Sequence, residues 1–178
     1  MKRSIFIMLS VFLLVSCSNV NAMKLVDAKV KVVTDRSISG ATKITYGQKK
    51  GEIIVPTILL YQITLKNNGV FNFNVHTVDV NIKPDPDLLA ATKKIFGKNI
   101  FDTEKARVAH GKKISDIGPF GQRTWEIHYE IGAKKENPEI PPLPSPSQLK
   151  QLESVASHAK LVISKDGNII GSLQLNPQ

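Results

Sequence analysis

From Lys24 to Val33 apolar residues fall on every second position, Val26, Ala28, Val30 and Val32 alternating with charged Asp27, Lys29 and Lys31. That period of two predicts a half-buried strand with one wet face. Thr42 to Tyr46 alternates again, and Gly47-Gln48-Lys49-Lys50-Gly51 reads as a turn. Glu52 to Lys66 is the longest β-like run, with Leu59, Tyr61, Ile63 and Leu65 on one face against Gln62, Thr64 and Lys66. Pro56 cannot donate a ladder hydrogen bond, so the start of this run is an edge, a bulge or a switch between sheets. Asn67-Asn68-Gly69 predicts a tight hairpin turn. The next run, Val70 to Ile82, changes phase: Phe71, Phe73 and Val75 share one face, Val78, Val80 and Ile82 the other. A one-residue slip turns every side chain over, which predicts a bulge or a sheet-crossing bend near His76 and Thr77.

Helical spacing begins after Pro84. Asp85 suits an N-cap, Pro86 the first helical position, Lys93 and Lys94 the last turn and Gly97 the C-cap, with Leu88, Ala91 and Ile95 on one stripe. Two acids at this point are capping groups and fall short of the oxygen-rich loop that calcium requires. Lys98 to Gly121 is weakly patterned and reads as a long connection with short extended pieces, closed by Gly118-Pro119-Phe120-Gly121. Arg123 to Ile131 is a clear strand, with Trp125, Ile127, Tyr129 and Ile131 facing the core. Glu136 to Pro146 holds five of the ten prolines and reads as a stiff surface spacer. Ser145 and Gln148 have capping-box spacing, and Leu149, Leu152, Val155, Ala156 and Ala159 form an apolar helical stripe. Leu161 to Ser164, Asp166-Gly167 and Ile169 to Leu175 predict a hairpin that pairs Lys165 with Asn168 and Ile163 with Ile170. Together these elements predict a mainly β protein: an immunoglobulin-like antiparallel β-sandwich of about seven strands with two short crossover helices. The chain has a single Cys, so the Cys…Trp…Cys marker of true immunoglobulin domains is absent, and no internal repeat is visible.

The N-terminus has a different pattern. Lys2 and Arg3 precede an apolar run, Ile5 to Val15, broken only by Ser10. The run suits a signal-peptide core and falls short of the ~20 residues that span a bilayer. It ends in Leu14-Val15-Ser16-Cys17, which resembles the lipobox of bacterial lipoproteins. The resemblance covers the first 17 residues. It implies a diacylglycerol thioether on Cys17, cleavage before that residue and no other cofactor. Two other readings stand beside it: Cys17 as an ordinary apolar-segment cysteine, and Val20-Asn21-Ala22 as a plain secretory cleavage site. The expected organisation is a signal peptide over 1–16, a lipidated tether over 17–23 and one domain over 24–178. With Cys17 lipidated no thiol remains, and the body would be held by packing without disulfides.

Charge narrows the partners. The chain carries 24 Lys and Arg against 15 Asp and Glu, a net +9, and loss of Lys2 and Arg3 lowers it to +7. The excess is spread in pairs such as Lys49-Lys50, Lys93-Lys94, Lys112-Lys113 and Lys134-Lys135. Solvated loops and helix ends account for such pairs; attraction to anionic envelope surfaces is the functional alternative. Nothing interleaves bases with aromatics, so an exported chain of this kind is not expected to bind nucleic acid.

Candidate chemistry is sparse. His76, His110, His128 and His158 show no metal-ligand spacing, and the chain has no G-x-S-x-G, Walker loop or dinucleotide fingerprint. Glu126, His128 and Glu130 share one strand face and are the weak candidates for a metal or acid–base site; a solvated face with mild charge pairing is the competing account. The sequence therefore predicts a non-catalytic binding module. It would be membrane-attached through Cys17 on the extracytoplasmic side of a bacterial envelope, with an envelope protein or anionic polymer as partner. The membrane would be the cell membrane, or the outer membrane where the host has one, since Ser18 is not the Asp that retains lipoproteins in the inner membrane. The long Lys98–Gly121 connection and the proline spacer are the expected contact regions. A structural subunit of an envelope or secretion assembly is the alternative. The lipobox, PTILLYQI and Phe71 after a turn are loosely similar to small β-sandwich lipoproteins of type VI secretion systems, over about thirty residues. A hydrolase or metal enzyme is the third reading.

Overall fold

A computed structural model describes residues 22–106 and 109–176, so Leu14 to Cys17 lie outside the described residues. In chain order the elements are strand β1 (Met23–Val33), helix α1 (Arg36–Ser39), strands β2 (Thr42–Lys43), β3 (Ile53–Ile54), β4 (Thr57–Asn67) and β5 (Asp79–Pro84), and helices α2 (Pro86–Phe96) and α3 (Thr103–Ala106). They continue as strands β6 (His110–Lys113) and β7 (Gln122–Gly132), helix α4 (Pro146–Val155), and strands β8 (Ala159–Lys165) and β9 (Asn168–Gln174). The protein is mainly β, with nine strands and four helices among the described residues. β1 begins one residue inside the stretch assigned to the tether, because Met23 is already buried.

All strand pairs are antiparallel. One sheet has the order β1-β4-β7-β6, a second the order β5-β8-β9, and β2 pairs with β3 alone. β4 is the centre of the larger sheet. Its Leu59, Tyr61, Ile63 and Leu65 point into the core beside Trp125, Ile127, Tyr129 and Ile131 of β7. Val80, Ile82, Leu161 and Ile163 bring the second sheet to the same core, and Leu88 and Leu152 bring in the two long helices. Each large side chain so buried contributes roughly 1.5–3 kcal/mol. Trp125 is fully buried and its indole N–H donates to the Ser115 carbonyl at 2.9 Å. Burial lifts the Tyr61 hydroxyl well above its ordinary range, and that group donates to the Ala156 carbonyl at the end of α4.

Several sequence expectations are met in detail. Pro56 marks a switch between sheets, since β3 pairs with β2 whereas β4 joins the large sheet. Ser145 and Gln148 form both halves of a capping box, and Gly97 ends α2 at φ 69°. The Asp166-Gly167 turn has positive φ at both residues and pairs Lys165 with Asn168.

Others are corrected. A register shift between Ile163 and Ser164 pairs Ile163 with Gly171, not with Ile170. The bend expected near His76 is present as a 3-10 turn over Val75–Thr77, capped by the Asn74 side chain, after which β5 enters the second sheet; the strand expected before it is reduced to one bridge, Phe73 to Ile117. Phe71 consequently does not join Phe73 and Val75 in the core but is 66% exposed. Asp85 stands at the start of α2 without a side-chain cap bond and accepts instead from Gln174 Nε2 at 2.8 Å. The long connection, read as carrying short extended pieces, does contain the short strand β6, but it also contains the helical turn α3.

Asn67-Asn68-Gly69 makes no hairpin either. Asn67 is fully buried, and its amide donates to the carbonyls of Phe71, Ile117 and Gly118 at 2.7, 3.2 and 3.1 Å. Its side-chain oxygen accepts from Gly69 N–H, and its own N–H donates to the Gly121 carbonyl. One side chain thus ties the loop after β4 to the loop before β7. At the opposite end of the same strands Thr57 pairs with Gly132. With a rise of about 3.3 Å per residue, these two ends of the large sheet stand about 30 Å apart.

Candidate functional site

The three polar residues singled out on β7 lie on the face away from the core, but they do not converge. Side chains four residues apart on a strand are separated by about 13 Å, which keeps Glu126 from meeting Glu130. Glu126 accepts a hydrogen bond from Gln62 Nε2 at 2.9 Å. His128 sits opposite Gly111 in the β6–β7 register, and its ring occupies the space a Cβ there would need. Burial holds the His128 imidazole below its ordinary pKa, His110 lowers it further, and Glu126 pulls it partly back. Among the described residues no group of three His, Cys, Asp or Glu is placed to hold a metal ion. The remaining histidines are scattered: His110 stacks on Tyr129, His158 lies 3.1 Å from the Asp87 carboxylate, and His76 is in the 3-10 turn.

Glu130 belongs to a different arrangement, a groove of about 520 Å³ at the end of β7. The end of α2 supplies Ile95 and Phe96, the turn after Gly97 supplies Lys98 and Ile100, and the proline spacer supplies Pro141 to Ser145. The two regions expected from sequence to make contacts therefore meet around one concavity. What was not legible was their meeting, because it depends on a backbone approach between distant segments. Gly132 has φ 140°, and a Cβ there would fall 2.9 Å from the Leu143 Cα and from the Pro142 oxygen. That close approach lets Ala133 donate to the Pro141 carbonyl at 2.9 Å and accept from Leu143 N–H at 3.0 Å. The spacer is thereby fixed along the strand end, where Ala133 and Pro142 form an isolated parallel bridge. The available signal was a Gly closing a strand shortly before a proline run.

A second, smaller core steadies the spacer from outside. Ile44 and Ile54 of the β2–β3 region pack with Ala133 and Ile140. Thr45 donates its N–H and its hydroxyl to Glu139 Oε1 at 2.5 and 2.6 Å, and these bonds hold that carboxyl below its usual range. The Tyr46 hydroxyl donates to the Pro138 carbonyl, Lys49 to the Glu136 carbonyl, and Lys135 pairs with Glu52 at 2.7 Å. These contacts tie residues 44–54 to residues 133–140 along the whole length of the loop.

Within the groove the chemistry is simple. Its walls are mostly aliphatic side chains and proline rings. Glu130 is half-buried; burial raises its carboxyl above the usual range and the Lys98 ammonium draws it partly back. Ser145 is engaged in the capping box, and none of the four histidines lines the groove. Such a lining suits the holding of an apolar segment with one polar contact at its edge. Among the described residues no helix is long and apolar enough to cross a membrane. Comparison of the chain with protein-family models, with curated proteins and with solved structures found no match.

Proposed function

We propose that the protein is a lipid-anchored, non-catalytic interaction module of the bacterial cell envelope. Cys17 would carry the diacylglycerol, and the groove around Glu130 would receive an apolar segment of an envelope protein. The body reads as a sandwich of immunoglobulin-like kind, a reading supported by two antiparallel sheets of four and three strands that share one core. The observation that carries the function is placement. The groove is bounded by Glu130 and Ile131 at the far end of β7, whereas Ala22, the first described residue, lies at the near end with its carbonyl accepting from Asn68 N–H. A tether reaching Cys17 leaves from that near end, so the anchor would present the groove outward by about the length of the sheet. Cleavage after Ala22 would remove that accepting carbonyl and place a charged amine on the buried Met23. This favours the lipobox over the plain secretory site.

Metabolic labelling with a clickable palmitate analogue tests the anchor: label is expected in the wild-type chain and absent from Cys17→Ala. An unlabelled chain beginning at Met23 would overturn it. A photo-crosslinker placed at Leu143 tests the groove in living cells, where a defined adduct with an envelope protein is expected. Recovery of the free monomer alone would contradict that part.

A further inference from the structure

The near end of the sheet carries an apolar tip of three exposed side chains among the described residues. Val70, Phe71 and Phe120 are 64%, 66% and 64% exposed, although each is large enough to be buried at a profit in contact area. They come from two loops held together by the Asn67 side chain and by the Phe120 N–H, which donates to the Gly69 carbonyl at 3.3 Å. Phe120 sits at φ 54°, a left-handed conformation that a bulky aromatic residue rarely adopts. That φ closes the Gly118–Gly121 turn, in which Gly121 N–H donates to the Gly118 carbonyl at 3.0 Å, with an aromatic ring where glycine fits without strain; strain of this kind gathers at functional positions.

Charge and chain path identify the occupant. Exposed Lys24 and Lys66 pair across β1 and β4 on one face of the sheet end, and exposed Arg123 stands opposite Leu65 on the other, with Asp116 the acid in the same loops. Ala22 is bonded to this same end through Asn68. Only four residues separate Ala22 from Cys17. An apolar tip flanked by bases, beside the point where a lipid tether enters, fits the headgroup boundary of an anionic bilayer.

We propose that Val70, Phe71 and Phe120 insert into the headgroup region of an anionic phospholipid membrane, a second contact that sets the orientation of the tethered domain. The proposal rests on the reading of Cys17 as the anchor. The tip would convert a flexible tether into a fixed stance, with the large sheet standing away from the bilayer.

The test uses the full chain as processed in a bacterial host, bound to vesicles of phosphatidylethanolamine and phosphatidylglycerol. Phe120→Trp and, separately, Phe71→Trp report on the tip; the native Trp125, fully buried, supplies a constant background. The expected result is a blue shift on vesicles and at least twofold quenching by lipids brominated near the headgroup. Tyr46→Trp, exposed at the far end, should be unaffected. Water-like, unquenched emission from both tip variants would overturn the proposal, as would quenching equal to that of Tyr46→Trp. A protein or a second copy as occupant would give that unquenched result. Acylation is read separately from the mass of the Cys17 peptide, so an unacylated chain refutes the anchor while tip quenching is still scored on its own.

Discussion

The two ends of the large sheet expose apolar surface in opposite ways. At the Gly132 end the surface is concave, walled by proline rings and aliphatic chains, and contains one acid and one base, Glu130 and Lys98. At the Asn67 end it is convex, made of Val70, Phe71 and Phe120, and flanked mainly by bases. A concave surface with a polar contact selects a shaped partner, whereas a convex basic one suits a surface without shape. The means of construction differ as well. The groove depends on a missing Cβ, because Gly132 lets two backbones approach; the tip depends on a side chain, because Asn67 supplies the bonds that its loops would otherwise lack. One strand pair, β4 and β7, therefore ends in two apolar surfaces of opposite shape, built by different means.

The largest expected effect comes from breaking the tip end. Asn67→Ala takes the donor from the Phe71 carbonyl and the acceptor from the Gly69 N–H, while the carbonyls of Ile117 and Gly118 keep their bonds from Phe73 and Gly121 N–H; it should cost about 3 kcal/mol, since each unsatisfied buried group costs roughly 1–3 kcal/mol. Urea unfolding would measure it, and a loss below about 1 kcal/mol would show that the loops hold each other without it. Breaking the groove end should cost less. Gly132→Ala places a Cβ against the proline backbone at a positive φ, for about 2 kcal/mol, and should reduce crosslinking from Leu143.

The contrast between these two positions also shows what the sequence could reveal. Strand alternation, the caps of α2 and α4 and the break at Pro56 depend on neighbours within a few residues, and they were legible. Asn67-Asn68-Gly69 looked like a hairpin because its local chemistry is that of a turn. Its bonds to Ile117 and Gly118 span fifty residues and leave no local periodicity. The shift at Ile163 is equally hidden, because one extra residue alters pairing without altering hydrophobic pattern. Glu130 looked like a companion of His128; which way a strand face opens into a groove depends on a spacer that follows it in sequence. The proposed anchor is the reverse case, since the reading of Cys17 rests on seventeen contiguous residues and on no distant contact.

Smaller effects sharpen the comparison. Glu130 has a carboxyl held above its ordinary value of 4.5, so folding favours its protonated form. The stability it contributes is complete below that value and is lost as pH rises through the higher folded value. Glu130→Gln should remove this loss, so thermal melts of wild type and variant should diverge in favour of the variant as pH rises above 4.5. Parallel curves would place Glu130 in free solvent. The opposite slope is expected from His128, whose imidazole is held low: its contribution is present above about 6.5 and lost as pH falls through the folded value. His128→Gln should flatten the acid limb of the stability profile. Smallest of all is the triple change of Val70, Phe71 and Phe120 to Ser. Exposed positions of this kind usually alter stability by less than about 0.5 kcal/mol, so the fold should be unaffected while an environment-sensitive dye at Asn68→Cys, exposed beside the tip, loses its blue shift on vesicles.

The central claim is an orientation: the Asn67 end toward the membrane, the Gly132 end away from it. Energy transfer from a dye to headgroup-labelled lipid measures this directly, with the dye placed at Phe71→Cys or Lys134→Cys of the lipidated chain. Cys17 is the only native cysteine, so lipidation leaves the introduced thiol as the sole labelling site. The predicted result is efficient transfer from position 71 and weak transfer from position 134, in keeping with an end-to-end separation of about 30 Å. Equal transfer from both positions, or stronger transfer from position 134, would contradict the account.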